Sequence, residues 1–245
     1  DVAFAHPIGL IANALGTPPP YMLERSKAAG VPVAALIGTK EQAVKQAEAG
    51  VDIIVAVGGE AGGHCGDIST LVLVPEVVKA IEPYGDIPIL AAGGIVTGRQ
   101  MAACMAMGAA GAWTGSVWLT TSEAETSSVV KEKMLAASSQ QTVRSKARTG
   151  KYSRQLQTEW TDAWESEDAP PPLPMPLQFM LTDPVMRKIN KLAEGGHEGA
   201  KKLAGYFVGQ GLGMMNDSVS ARTVVYEFME DFLNASERLK SLTEL

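Results

Sequence analysis

The chain has 245 residues, 46% of them hydrophobic, which supplies enough apolar surface for one large core or for a barrel with an appendage. A formal net charge of −6, with 21 Lys and Arg scattered along the chain, argues against a polyanion-binding face and so against a nucleic-acid partner. Apolar runs stop short of the roughly 18 residues of a membrane span and nothing reads as a secretion signal, so no membrane partner and a cytoplasmic setting are expected; two cysteines in unlike contexts, Cys65 and Cys104, suit neither a disulfide framework nor a four-ligand zinc site.

In chain order, short apolar runs alternate with helix-compatible stretches, the pattern of βα units around a parallel sheet. Residues 9–14 (GLIANA) predict a strand, the turn Gly16-Thr17-Pro18-Pro19-Pro20 follows, and a helix is predicted over 21–29. The next strand covers 31–37; Thr39 then caps a helix through about 49, with Gly50 as its stop. A third strand (DIIVAV, 52–57) runs into glycine-rich 58–66, and a helix is predicted over 69–81. A fourth strand, 87–92, leads through Gly93-Gly94-Ile95 into an apolar helix over 98–107 that Gly108 ends. The fifth strand is placed at 112–119, with a long helix from Ser122 or Glu123 to about 137.

Units of this length match the repeat of a TIM (β/α)8 barrel, for which about 250 residues are usual. Five strands cannot close such a barrel, so about three further units are expected upstream. From about 138 onward the sequence turns polar and proline-rich, with helices predicted over 185–193, 200–208 and 220–239. The expected organisation is therefore a barrel portion over 1–138 and a C-terminal α-helical extension or lid over 139–245.

The chemistry concentrates in Gly58-Gly59-Glu60-Ala61-Gly62-Gly63-His64-Cys65-Gly66, at the carboxyl end of a predicted strand, which is the catalytic rim of any such barrel. Glycine is costly to order, so a loop that keeps this many uses the close backbone approach or positive φ they permit. His64 in that loop can exchange a proton near neutral pH; the bland alternative is a flexible turn with an incidental histidine. Ala91-Ala92-Gly93-Gly94-Ile95 offers bare backbone N–H groups ahead of a helix, a phosphate cradle. Thr114-Gly115-Ser116 ends the next strand in the same way, so two adjacent loops can share one phosphate; close helix–strand packing is the alternative.

GGEAGGHCG, the following TLVLVPEVV, ILAAGGIVTGRQMAACMAMGA and GAWTGSVWLTT resemble the nitronate monooxygenase (2-nitropropane dioxygenase-like) family, whose relatives include FMN-dependent enoyl-ACP reductases. The resemblance implies an FMN barrel of which strands four to eight are present. It places the family's histidine on His64, lines the flavin edge with Glu60, Ala61, Gly62 and Gly63, and gives the FMN phosphate to Gly93, Gly94, Gly115 and Ser116. Ser116 replaces a frequent Thr and keeps the hydroxyl, whereas Val117-Trp118 replaces a common Arg-Phe and removes a cation. The implied reaction is FMN-dependent oxidation of an alkyl nitronate with O2 to a carbonyl compound and nitrite, without a metal. His64 would orient the anion or act on its proton, its protonated form favouring a negative substrate. The rivals are an NAD(P)H-dependent enoyl-thioester or quinone reductase of the same fold and a flavin-free phosphate-binding barrel or non-catalytic relative. The oligomeric state is left open, a homodimer among the options.

Arg148, Lys151 and Arg154 in RTGKYSR form a basic stretch that either closes over an anion or is solvated surface charge. Trp160 and Trp164, one helical turn apart, are expected to pack the appendage onto the barrel, and Met101, Met105 and Met107 to pack a helix. Cys65 is not expected to be a nucleophile, and His6 and His197 read as surface residues.

Overall fold

The structure, a computed structural model, describes residues 2–243. Its strands are β1 (Ile11–Asn13), β2 (Val33–Ile37), β3 (Ile53–Val57), β4 (Gly63–His64), β5 (Ile89–Ala92), β6 (Gly111–Ala112), β7 (Thr142–Ser145) and β8 (Ser153–Leu156). Its α-helices are α1 (Pro20–Ala29), α2 (Lys40–Glu48), α3 (Thr70–Ile81), α4 (Gly98–Ala106), α5 (Ser128–Ala136), α6 (Glu159–Trp164), α7 (Leu177–Glu194), α8 (Glu198–Leu203) and α9 (Ala221–Thr243).

Five strands pair in parallel in the order β1-β2-β3-β5-β6, each joined to the next by a helical crossover. The near-continuous apolar runs of β2 and β3 follow from burial on both faces. On β3, Ile54 and Ala56 pack with Leu73, Val74 and Val77 of α3, while Val55 turns to the opposite face among Ala34, Leu90 and Trp113. Helix ends follow the local chemistry. The Thr39 hydroxyl accepts the Gln42 N–H at 3.3 Å to start α2, and Gly30 closes α1 at φ 66°.

Three sequence expectations are corrected. The fifth strand is only Gly111–Ala112; after it the chain curls into the 3-10 turn Ser116–Trp118, where the Trp118 indole N–H reaches the Thr114 carbonyl at 3.2 Å and Val117 joins a separate apolar cluster. α5 starts at Ser128 rather than at 122 or 123, because the Glu123 carboxylate instead accepts the Ala221 N–H at 2.9 Å, at the start of α9. The C-terminal part is not wholly helical: β7 and β8 form an antiparallel hairpin, and β8 also pairs with β4, with Gly63 opposite Arg154 and His64 opposite Ser153. The physical reason is that β8 (SRQL) is buried throughout by long-range partners, so no apolar alternation marks it as a strand.

Two contacts tie the C-terminal segment to the parallel sheet and its helices. α9 crosses α4 so closely that a Cβ on Gly98 would run into the Phe228 carbonyl. A second apolar core gathers Met134 of α5, Leu156 of β8, Met186 and Ile189 of α7 and Leu212, with Trp160 packed against it. Trp160 and Trp164 meet at a tilt of 50° with ring centroids 6.0 Å apart, in keeping with a packing role.

Candidate active site

At the carboxyl ends of the parallel strands lies a cleft of about 740 Å³, walled by Leu36, Ile37 and Val57 at the ends of β2 and β3 and by Gly62, His64 and Cys65. Arg144, Lys146 and Lys151 supply its charge, all from the β7–β8 hairpin and its turn. Arg144 and Lys146 sit over the ring of Tyr152, at 5.2 and 4.8 Å from its centroid, which holds both cations at the rim. A smaller apolar slot of about 330 Å³ is lined by Met175, Pro176, Phe179 and Phe207 together with Gly63, His64 and Thr149. His64 lines both cavities.

The glycine loop is held from three directions. The Arg154 guanidinium donates to the Gly59 carbonyl from Nε at 2.9 Å and from Nη2 at 2.8 Å, and from Nη1 to the Thr142 hydroxyl at 3.1 Å. Glu60 turns inward, where its carboxylate accepts the Thr70 backbone N–H at 2.9 Å and the Thr70 hydroxyl at 2.8 Å, capping α3. Segment 208–211 covers the loop: the Gln210 N–H donates to the Glu60 carbonyl at 2.8 Å, and a Cβ on Gly62 would meet the Gly209 nitrogen at 2.7 Å. Ala61 is buried, and Gly63 takes φ 78°, the left-handed turn that sends His64 into pairing with β8.

His64 Nε2 lies 2.9 Å from the Thr149 hydroxyl. Burial, and then repulsion from Lys151, hold its pKa below that of a free imidazole, so it is neutral at pH 7. With the neutral imidazole favoured, the positive charge at the cleft comes from the neighbouring Lys151, Lys146 and Arg144. Of Arg148, Lys151 and Arg154, Lys151 alone lines the cleft. Arg154 is spent on the loop, and Arg148 is buried with its guanidinium 4.8 Å from the Phe207 ring. Burial pushes the Cys65 thiol pKa up, which disfavours the thiolate a nucleophile needs.

Gly93 and Gly94 adopt φ 115° and 69°, and their N–H groups enter no backbone hydrogen bond among the described residues; the same holds for Gly115. A Cβ on Gly115 meets nothing within 4 Å, whereas one on Gly94 would lie 3.1 Å from Glu60 Cβ. Ser116 Oγ accepts the Gly209 N–H at 2.8 Å and keeps its own hydrogen to give. A cavity of about 440 Å³ beside Gly93 and Gly94 is edged by Glu60, Ser139 and Gln210. Gly93 and Gly94 line that cavity with free backbone donors of the kind that hold a phosphate, whereas Gly115 and Ser116 do not line it, nor does any Lys or Arg. Sequence reasoning missed Thr70, Thr149 and the 208–211 segment. The alternating glycines of Gly209-Gln210-Gly211-Leu212-Gly213 were the available signal for the last, since Gly209 and Gly211 leave no room for a side chain against Glu60 and Gly94.

A parallel α/β sheet with a histidine at its carboxyl rim and free backbone donors on its last two strand ends has its candidate site where α/β barrels carry theirs. The nitronate monooxygenase family model matches residues 1–231, and the chain belongs to that family. A provisionally named monooxygenase of Mycobacterium tuberculosis, Rv1533, is 54% identical over 244 residues, covering 100% of this chain and 64% of that protein. The (3aS,4S,5R,7aS)-5-hydroxy-7a-methyl-1-oxo-octahydro-1H-indene-4-carboxyl-CoA dehydrogenase of Rhodococcus jostii is 38% identical over 155 residues, 63% of this chain and 43% of its own length. Among solved structures, nitroalkane oxidase from Streptomyces ansochromogenes superposes with a TM-score of 0.84 at 26% identity, covering 97% of this chain and 68% of that one. The chain thus spans less than two thirds of the length of these two sequence relatives. Among the described residues, no helix is long and apolar enough to cross a membrane.

Proposed function

We propose that this chain carries strands four to eight of an FMN-dependent nitronate monooxygenase, with His64 acting on the substrate proton and O2 as second substrate. The observation that carries the reading is the position of His64: a neutral imidazole on the strand-end rim, between a cationic cleft and an apolar slot. The backbone N–H groups of Gly93, Gly94 and Gly115, with the Ser116 hydroxyl, would hold the FMN phosphate, and Glu60 to Gly63 would line the flavin edge. FMN, when bound, supplies the oxidation of the nitronate that precedes its reaction with O2 to a carbonyl compound and nitrite.

The chain's own residues then divide the work. Lys151, Lys146 and Arg144 attract the anionic nitro end into the cleft. The slot of Met175, Pro176, Phe179 and Phe207 takes the alkyl part and excludes water from it. When a neutral nitroalkane arrives, the imidazole lone pair takes the proton on the carbon bearing the nitro group, and the C–H electron pair passes onto the nitro oxygens. Lys151 disfavours the imidazolium so formed and promotes return of its proton to solvent.

The test is direct: the protein is expected to purify with a flavin absorption spectrum and to release nitrite from an alkyl nitronate as O2 is consumed. A second reading, a reductase or dehydrogenase acting on acyl thioesters, is favoured by the likeness to the Rhodococcus CoA dehydrogenase. Rapid anaerobic bleaching of the flavin by NADH, without nitrite from nitronates, would establish it. A colourless protein that takes up no FMN would sink both.

A further inference from the structure

The hydroxyl beside His64 is committed elsewhere. Thr149 Oγ1 lies 2.9 Å from the Lys151 carbonyl oxygen and 2.9 Å from His64 Nε2, and it accepts the Lys151 backbone N–H at 3.3 Å. A hydroxyl has a single hydrogen, and a carbonyl can only accept. Two oxygens at 2.9 Å with no hydrogen between them repel, so the Thr149 hydrogen belongs to the Lys151 carbonyl. The contact to the imidazole then needs its hydrogen from the ring. A neutral imidazole carries only one N–H, so hydrogen on Nε2 leaves the lone pair on Nδ1.

From this geometry we propose that Thr149 is a positioning residue which fixes His64 in its Nε2–H tautomer and makes Nδ1 the proton-accepting atom. Its surroundings keep the hydroxyl in place. Thr149 is 4% exposed, the preceding Arg148 carbonyl accepts the Thr182 hydroxyl at 2.7 Å, and the Gly150 N–H closes the turn onto the Lys146 carbonyl at 2.9 Å. His64 is held from its own side by its register opposite Ser153. Exchange of donor and acceptor would need only the Thr149 hydroxyl hydrogen to turn toward Nε2, and it is opposed because it would leave the Lys151 carbonyl facing a bare hydroxyl oxygen at 2.9 Å. The tautomer follows from these contacts alone; only the identity of the proton that Nδ1 receives rests on the nitronate monooxygenase reading.

The experiment is long-range 1H–15N NMR of the 15N-histidine-labelled protein near neutral pH, with His64 assigned by its loss in His64→Asn. Wild type is expected to show the Nε2–H pattern. Thr149→Val should shift His64 toward mixed tautomers and lower kcat/KM for a neutral nitroalkane by roughly tenfold, the worth of one oriented hydrogen bond. Thr149→Ser should restore both, because it keeps the hydroxyl. An Nδ1–H pattern in wild type would overturn the proposal, as would an unchanged Nε2–H pattern in a folded Thr149→Val protein. If the valine variant does not fold, Thr149→Ala serves in its place, because free neutral histidine already prefers Nε2–H and the wild-type spectrum alone can refute the proposal but not establish it. A protein that oxidises no nitronate would still give its tautomer, so the two readings fail separately.

Discussion

Replacing Arg154 by Met tests whether the hairpin holds the glycine loop. The substitution keeps the aliphatic stem of a side chain that is 9% exposed and removes three donors, two on the Gly59 carbonyl at 2.9 and 2.8 Å and one on Thr142 at 3.1 Å. The two bonds to one oxygen are not independent, so they count as one charge-assisted interaction of about 1.5–3 kcal/mol, with about 1 kcal/mol more for Thr142. Gly59's carbonyl would keep only the Cys65 thiol at 3.6 Å, a weak donor, which adds to the loss. Against this stands the relief of no longer burying a guanidinium, a desolvation that lowers the Arg154 pKa in the folded protein. The net expectation is a loss of about 2–4 kcal/mol for Arg154→Met. Arg154→Lys, with the charge but not the planar fork, should lose about half of that. Urea unfolding at constant m reads both values. A loss under about 1 kcal/mol for the methionine variant would refute the clamp, since a buried carbonyl deprived of its partners cannot be that cheap. Because β8 also pairs with Gly63 and His64, turnover should fall in both variants even below their unfolding midpoints.

Further outcomes are expected at the site. His64→Ala should retain bound FMN but lose about 10²–10⁴-fold in turnover of a neutral nitroalkane, read from nitrite release and the flavin spectrum; undiminished turnover of that substrate would exclude His64 as its base. Burial and Lys151 both lower the His64 pKa, so the base form survives below the ordinary value of about 6.5 and the acid limb of kcat/KM should lie under it. Lys151→Met removes one of those two causes and should move that limb toward higher pH; a pH–rate profile with an unmoved limb would contradict the assignment. Phe179→Ala, which enlarges the apolar slot, should shift preference among primary nitronates toward longer alkyl chains, and an unaltered KM series would show that the chain lies elsewhere. Gly94→Val combines a β-branched residue at φ 69° with a Cβ 3.1 Å from Glu60 Cβ, so it should cost about 1–3 kcal/mol in stability as well as FMN affinity; a fully stable, fully flavinylated variant would sink both parts.

Read residue by residue, the sequence shows the parallel strands and most of their crossover helices. Runs such as VAALI and IIVAV, short, β-branched and bounded by turn residues, read as strands buried on both faces, and Thr39 and Gly30 bound helices by chemistry local to a few residues. It also marked the loop that carries His64, because five glycines in nine residues cost too much entropy to be kept without a use. Residue type could not show that the Glu60 carboxylate caps the helix at Thr70, nor that Arg154, read as closing over an anion or as solvated charge, grips the Gly59 carbonyl. What only the tertiary structure decided is long-range. The pairing of His64 with Ser153, the hydroxyl of Thr149 and the seat of Gln210 on the Glu60 carbonyl join residues about 85 to 150 positions apart, and no local period or propensity encodes such a meeting. The charge state of His64 belongs to the same class, since it is set by burial and by a lysine on another element.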